Sequence, residues 1–243
     1  MYLNYTLSGH IYISPPDDCR KIVDAILATD YDKDFCVAGD FNPDFVAELM
    51  KAGFLVMSMN LSENSAEPDF ILLPKLHLVR SALFFENLHI KKSIRRFLSR
   101  FELRPDAEFD LIVDRCIEKH KADWLTPPLV ECIKKIRSAG GKNDSGLLTP
   151  SENARPASFA LYREGKLVAG EFGIVCGRVY TSYSGFYDED NAGTVQIILA
   201  TRHLHEQGFL FFDLGMPLDY KNDLGAVDIS AGEFVRLFRE GVR

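Results

Sequence analysis

Apolar positions along the chain change period about halfway, and the change divides it into a helix-bearing first half and a strand-rich second half. Around Cys19 to Ala28, and again after Asn42, apolar residues recur three and four apart. Phe45, Val46, Leu49 and Met50 form the stripe of a helix that buries one side. Asn42 is placed to cap that helix, Pro43 to start it and Gly53 to stop it, with residues 37–43 as the strand-to-helix turn that feeds it. From residue 158 onward the period is two. Residues 158–162 and 167–168 flank the turn Glu164-Gly165-Lys166, and residues 170–175 and 178–184 flank Cys176-Gly177, which predicts an antiparallel meander. Residues 194–207 return to helical spacing through Val195, Ile198, Leu199 and Leu204, and residues 209–214 (FLFFDL) read as a short apolar strand. The order is strand, strand, strand, helix, strand, in an α/β chain.

Two stretches break the pattern. Residues 61–69 (LSENSAEPD) are polar and contain Pro68, so they mark the expected division between a small N-terminal α/β domain, 1–69, and a larger domain, 70–243. Residues 140–156 collect Gly, Pro, Asn, Asp and Ser with little apolar periodicity and are expected as a long exposed loop.

Length and charge narrow the classes. A chain of 243 residues can bury a core without disulfides, and its five scattered cysteines form no C-x-x-C pair, the usage of buried or idle reduced thiols in a cytoplasmic protein. No run approaches the roughly 20 apolar residues that span a bilayer, and no secretory leader is visible, so no membrane contact is expected. A formal net charge of −7 argues against indiscriminate coating of nucleic acid; any such contact needs a local patch. Residues 88–104 supply one. Lys91, Lys92, Arg95, Arg96, Arg100 and Arg104 stand there against a single acid, Glu102. At helical spacing Ile90, Ile94, Phe97 and Phe101 fall on one side and the first four cations on the other, predicting a helix with one cationic face, to which Arg80 adds. Such a face suits RNA phosphates, although a run of charge is more often simply solvated. His203 and His205, two apart, would face different ways on a helix and have no carboxylate or thiol cluster beside them, so no metal is expected.

Several short motifs, in order along almost the whole chain, resemble those of the leucyl/phenylalanyl-tRNA-protein transferases. Ala38-Gly39-Asp40-Phe41-Asn42-Pro43 is similar to that family's G-G-D-L-S-P, and Gly53-Phe54 falls where it has G-I-F-P-W. The run from Leu88 to Phe97 resembles L-H-x-S-R-S-x-[KR]-R, and Asp123-Trp124-Leu125-Thr126 resembles T-W-I-T. Leu167-Val168-Ala169-Gly170 resembles L-V-G-G, and Leu224-Gly225-Ala226 the late S-L-G-A. The resemblance implies a GNAT-like acyltransferase fold. It also implies an enzyme that moves an amino acid, leucine, phenylalanine or similar, from charged tRNA to the N-terminal amine of a protein or peptide, feeding N-terminal-residue-dependent degradation. Aminoacyl-tRNA would be a co-substrate, with no cofactor, and a cytoplasmic monomer is expected. This sequence departs from the family at three places: Met57 stands for the tryptophan of G-I-F-P-W, Ser182-Tyr183-Ser184-Gly185-Phe186-Tyr187 for G-E-S-M-F-S, and Asp213-Leu214-Gly215 for D-x-Q.

The chemistry would be attack of a neutral amine on an activated ester, helped by positioning, a proton acceptor and oxyanion stabilisation. The resemblance makes Asp213 the group that helps the amine, with Gly215 in the place of the glutamine; a strand-end carboxylate is otherwise an ordinary hydrogen-bonding group. Tyr180, Tyr183, Ser184, Phe186, Tyr187 and Phe212, on strands expected to be neighbours, are candidates to line the amino-acid pocket, with core packing the ordinary fate of at least half such aromatics. Trp124 and Met57 are assigned to the same site by the motifs that contain them. Glu171 replaces an apolar pocket residue of the family, which opens the pocket to a more polar amino acid. Lys91, Lys92, Arg95, Arg96, Arg100 and Arg80 are the tRNA candidates. Two other readings remain. An acyl-CoA-dependent GNAT N-acyltransferase would need a glycine-rich pyrophosphate loop, where this chain has Asp188, Glu189 and Asp190. A non-catalytic binding protein on the same fold would explain the absent family residues.

Overall fold

The computed structural model describes residues 3–29, 31–62, 68–121, 123–140 and 146–242. Along the chain these form β1 (Asn4–Tyr5), β2 (Ile11–Tyr12), α1 (Cys19–Ala28), α2 (Pro43–Lys51), β3 (Leu55–Asn60), β4 (Phe70–Lys75) and β5 (Val79–Leu83). Then come α3 (Lys92–Arg95), β6 (Glu102–Pro105), α4 (Phe109–His120), α5 (Pro127–Ala139), β7 (Ser151–Arg163), β8 (Lys166–Gly177) and β9 (Val179–Tyr187). The chain closes with α6 (Ala192–Glu206), β10 (Phe211–Asp213), α7 (Asp219–Asp223), β11 (Val227–Ser230) and α8 (Ala231–Gly241).

The local signals read from the sequence explain most of these boundaries. Asn42 Oδ1 accepts from the backbone N–H groups of Asp44 and Phe45, Pro43 opens α2, and the stripe of Phe45, Val46, Leu49 and Met50 is buried. Glu164 and Gly165, both at positive φ, make the two-residue turn between β7 and β8 that right-twisted strands favour. The strand, strand, strand, helix, strand order expected of a GNAT-type fold is present in β7, β8, β9, α6 and β10.

A seven-stranded sheet in the order β11-β5-β10-β9-β8-β7-β6 forms the centre. Its pairs are antiparallel except β9 with β10, which are parallel because α6 carries the chain across between them. One face packs on α6 and on residues 83–101, through Phe159, Val175, Tyr180, Ile198, Leu204 and Phe212. The other face packs on α2, α4, α5 and α8, and its core is continuous from Ile11 near the N-terminus to Phe238 in α8.

Three expectations change. The polar stretch expected to separate two domains joins β3 to β4, which pair from Leu55↔Lys75 to Asn60↔Phe70, so a division at 69 runs through a hairpin. Of the expected loop 140–156, residues 141–145 lie outside the described residues, and residues 151–156 already belong to β7. Their polar character misled because Arg155 is buried by an ion pair with Asp106, 2.9 Å away, and not by an apolar neighbour. The expected cationic helix is one turn, α3, followed by a 3-10 turn over Leu98–Arg100. Arg96 and Arg100 both stack on the Phe97 ring, at 4.8 and 5.0 Å, which occupies the side chain that a longer helix would have buried.

Candidate active site

A cavity of about 900 Å³ opens between the β3–β4 hairpin, the C-terminal half of β9, the start of α6 and the stretch from Leu214 to Lys221. Its shape begins with a bulge. Phe172 of β8 pairs with Ser184 and Gly173 pairs with Ser182, so Tyr183 is the extra residue of β9. Freed from the ladder, its side chain reaches the β3–β4 hairpin. Tyr183 Oη accepts from the backbone N–H of Val56 at 3.1 Å, and the ring lies 6.4 Å from Trp124 and 6.1 Å from Phe172. The Trp124 carbonyl in turn accepts from Ser58 N and Oγ, at 2.9 and 3.0 Å, fixing that wall to β3.

Eight of the residues singled out from the sequence meet here: Met57, Trp124, Glu171, Tyr183, Ser184, Phe186, Tyr187 and Gly215 all line the cavity. Tyr180 and Phe212 do not. They are fully buried in the core on the α6 side, ring against ring at 5.3 Å, because strand alternation turns them away from the opening.

Asp213 and Arg80 also need correction. Neither lines the cavity, and both are buried, with side chains 0% and 1% exposed. Arg80 Nε and Nη2 clamp the carboxylate, with Nη2 2.8 Å from Oδ2, while Thr181 Oγ1 and the backbone N–H of Gly215 donate to it at 2.9 and 3.0 Å. Four donor groups leave this carboxylate no free lone pair to turn toward an amine. It joins β5, β9 and β10 beneath the cavity floor, and Arg80, its guanidinium 4.2 Å over the Phe234 ring, cannot reach a phosphate.

The polar groups that do face the cavity are others. Burial pushes the Glu171 carboxyl up to about 7, with Tyr180, Ser182, the Lys221 charge and Gln196 pulling it partly back. Lys221 is buried, and its Nζ donates to the carbonyl oxygens of Leu214 and Met216; burial holds its ammonium below the usual lysine range, against Asp213 and Glu171. His77 is pushed down to about 4 by burial and by the charges of Arg80 and Lys75, so it is neutral at pH 7. His120 Nε2 lies 2.6 Å from the Gly185 carbonyl. Nothing in the sequence marks Gln196, Lys221 or His77, since each reads as an ordinary surface residue until the fold closes over it.

The cationic stretch starts at the edge of this cavity. Lys91 Nζ is 2.6 Å from Asp223 at the end of α7, whose Tyr220 and Lys221 line the opening, and His89 N donates to the Leu224 carbonyl at 2.9 Å. A Cβ on Gly225, at φ +96°, would collide with the Asn87 carbonyl, so two of the motifs recognised in the sequence are there because they touch each other. Lys91, Lys92, Arg95, Arg96 and Arg100 are all exposed.

The model of the leucyl/phenylalanyl-tRNA protein transferases matches residues 82–239, which takes in most of the central sheet, α6, the cavity floor and the cationic stretch. The chain belongs to the leucyl/phenylalanyl-tRNA-protein transferase family. A family member from Pseudomonas aeruginosa is 30% identical over 160 residues, a match that covers 64% of this chain and 65% of that protein's length. Another, from Hahella chejuensis, is 29% identical over 242 residues, 98% of this chain and 91% of its own. Among solved structures, L-PGS from Bacillus licheniformis is 13% identical with a TM-score of 0.43, over 99% of this chain and 89% of that one. The transferase family's match leaves β3 outside it, although β3 and Met57 complete one wall of the cavity.

Proposed function

We propose that the protein is a cytoplasmic aminoacyl-tRNA-protein transferase that moves an amino acid from the 3′ end of a charged tRNA to the N-terminal amine of a protein or peptide. The observation that carries this reading is the placement of an exposed cationic stretch at the rim of a cavity of about 900 Å³, large enough for an aminoacyl end and an incoming amine. Phosphate contacts from Lys92, Arg95, Arg96 and Arg100 would position the tRNA without reading its bases. Trp124 and Tyr187 offer aromatic faces at the opening for a terminal base.

The donor ester is already activated, so the reaction needs no redox partner or further cofactor. The amine nitrogen bonds to the ester carbonyl carbon, the ester C–O bond breaks, and the proton lost by the amine ends on the ribose hydroxyl that leaves. Holding the two reactants together in a half-closed cavity supplies much of the rate. The Glu171 carboxyl, pushed up to about 7, is the cavity group matched to pass a proton near pH 7, while His77 at about 4 stays neutral there and can only hydrogen-bond. Amide products entering N-terminal-residue-dependent degradation would be the downstream consequence.

The acyl-CoA reading fits less well. Asp188 and Glu189, paired with Arg115 and Arg163 at 2.8 and 2.6 Å, and Asp190 on the cavity edge surround the start of α6, where a pyrophosphate would have to sit. The test is direct. Purified protein is mixed with tRNA charged with single labelled amino acids and with peptides carrying Arg, Lys, Asp or Glu at the N-terminus. Label moving onto peptide establishes the reaction. No movement, together with no binding of charged tRNA at low salt, refutes it.

A further inference from the structure

A charge taken out of water is normally paired, and one left unpaired beside a cavity marks a place where charge of the other sign is met. Among the described residues the buried charged side chains are Arg80, Arg155, Glu171, Asp213 and Lys221. Arg80 and Asp213 neutralise each other, and Arg155 meets Asp106 at 2.9 Å. Glu171 and Lys221 form no ion pair among the described residues, and both line the cavity. The two differ in how burial is relieved. Glu171, pushed up to about 7, can hold a proton and has Tyr180, Ser182 and Gln196 around it. Lys221 has carbonyl dipoles alone: its Nζ lies 2.5 Å from the Leu214 oxygen and 2.7 Å from that of Met216.

Those two carbonyls flank Gly215, so the ammonium is held against the cavity floor at that residue. Gly215 sits at φ +74°, and a Cβ on it would meet nothing nearer than the Ser182 carbonyl oxygen at 4.0 Å, so the space there is open. An ammonium carries three protons. Two go to the carbonyls, and the third has no acceptor among the described residues. The backbone fixes where this side chain starts. Leu224 N and Ala226 N both donate to the Lys221 carbonyl at 3.0 Å, so the turn through Gly225 that touches Asn87 also seats the lysine and joins it to the start of the cationic stretch.

The surroundings narrow what the free N–H meets. A permanent anion entering the cavity would face Glu171 and Asp190, which line it. A neutral ester carbonyl meets no such repulsion on entry, and its oxygen becomes negative only when an amine attacks. A fixed donor in a buried site acts most strongly on charge that develops in this way.

We infer that Lys221 is a catalytic residue of the transfer reaction, its free N–H meeting the ester carbonyl oxygen of the bound aminoacyl end and holding the negative charge of the tetrahedral intermediate. This rests on the transfer reading above and adds the group that stabilises the oxyanion. The amine nitrogen bonds to the carbonyl carbon, and the electron pair of the C=O bond moves onto the oxygen beside Lys221. When that pair returns, the bond to the ribose oxygen breaks and the proton shed by the amine goes to the ribose oxygen. Lys221 keeps its own protons throughout.

The experiment measures binding separately from turnover. Three ligands are titrated by calorimetry: adenosine carrying leucine at its 3′ position through an amide, the counterpart with an anionic phosphonate in place of the carbonyl, and the neutral methyl ester of that phosphonate. The unaltered protein is expected to bind the anionic phosphonate at least about 10-fold tighter than the other two, since the phosphonate copies the intermediate in shape and charge. In Lys221→Met that advantage should vanish while the amide still binds within about threefold of the parent, and kcat for label transfer should fall by about 100-fold with KM little changed. Lys221→Gln, which keeps an uncharged donor for the carbonyls, serves as the second variant and should lose the same advantage. Equal binding of all three ligands by the unaltered protein overturns the inference. So does uniform loss of all three in both variants, which would make Lys221 a support for the pocket. If Lys221→Met transfers label at the parent rate, the assignment falls and the transfer reading stands. If the anionic phosphonate binds through Lys221 but no label moves from any charged tRNA, the site for a tetrahedral anion stands and the transfer reading falls.

Discussion

At the scale of residues, the buried pair of Arg80 and Asp213 is the most sensitive point of the molecule. Arg80→Met would leave a carboxylate at 0% exposure with only Thr181 and Gly215 as donors, and breaking such a pair costs about 3–5 kcal/mol. The midpoint of urea unfolding should fall accordingly, and the double variant Arg80→Met/Asp213→Leu should recover part of the loss; a single variant within about 1 kcal/mol of the parent would show the pair to be idle. Two cavity groups make stability depend on pH with opposite signs. Glu171 goes from an ordinary 4.5 to about 7 on folding, so the native state holds the extra proton and stability falls as pH rises through that window. His77 goes from 6.5 to about 4, so the unfolded chain holds the extra proton and stability rises with pH. Between pH 4.5 and 6.5 these two slopes oppose each other. In Glu171→Gln the His77 slope is no longer opposed, and unfolding free energy should climb with pH there by at least about 1.4 kcal/mol per pH unit, buried His203 adding to it with the same sign, read from denaturant titrations at several pH values. Neither pair nor slope could be read in the sequence, because Asp213 meets its partner 133 positions away and a strand-end carboxylate looks the same whether an arginine or a substrate waits for it. Tyr183 and Glu171 were legible because they sit on strands whose neighbours are predictable, and Trp124 because a motif carries it in the turn between α4 and α5.

Among the elements, legibility followed periodicity. α1, α2, α6, β8, β9 and β10 carry regular apolar spacing and stand close to where the spacing puts them. The first residues of β7 lack it, and the cationic stretch carries it but does not follow it, because ion pairs in the one and cation–π contacts in the other take the place of apolar contacts, and spacing is blind to both. The consequence for the cationic stretch is functional. A short, stacked segment leaves Lys92, Arg95, Arg96 and Arg100 exposed, with Arg96 and Arg100 held against the Phe97 ring and Arg95 against the Ile90 carbonyl. Replacing Arg95 and Arg96 by alanine should weaken tRNA binding for every amino acid carried and lower the slope of log affinity against log salt by about 0.7–0.9 for each phosphate no longer neutralised. An unchanged slope would move the tRNA site elsewhere.

For the molecule as a whole, the core that runs from Ile11 to Phe238 makes the β3–β4 hairpin and the central sheet hard to separate energetically. Trp124, whose carbonyl holds Ser58 and whose ring faces Tyr183, sits at their junction. Its fluorescence and the far-ultraviolet circular dichroism should therefore report one coincident unfolding transition in urea. Two separated transitions would mean that residues 1–69 form an independent unit after all.

The five cysteines give this a use. Cys19, Cys36, Cys116, Cys132 and Cys176 are free and buried, and desolvation pushes their thiols up to about 11 or 12, so none offers a thiolate to a reagent while the fold is closed. They lie in or near α1, β4, α4, α5 and β8. Alkylation of each, followed by peptide mass, would then act as a clock placed in each layer. The order in which they react would trace how the molecule comes apart, and a thiol that stops reacting when charged tRNA is added would mark the part that the substrate holds shut.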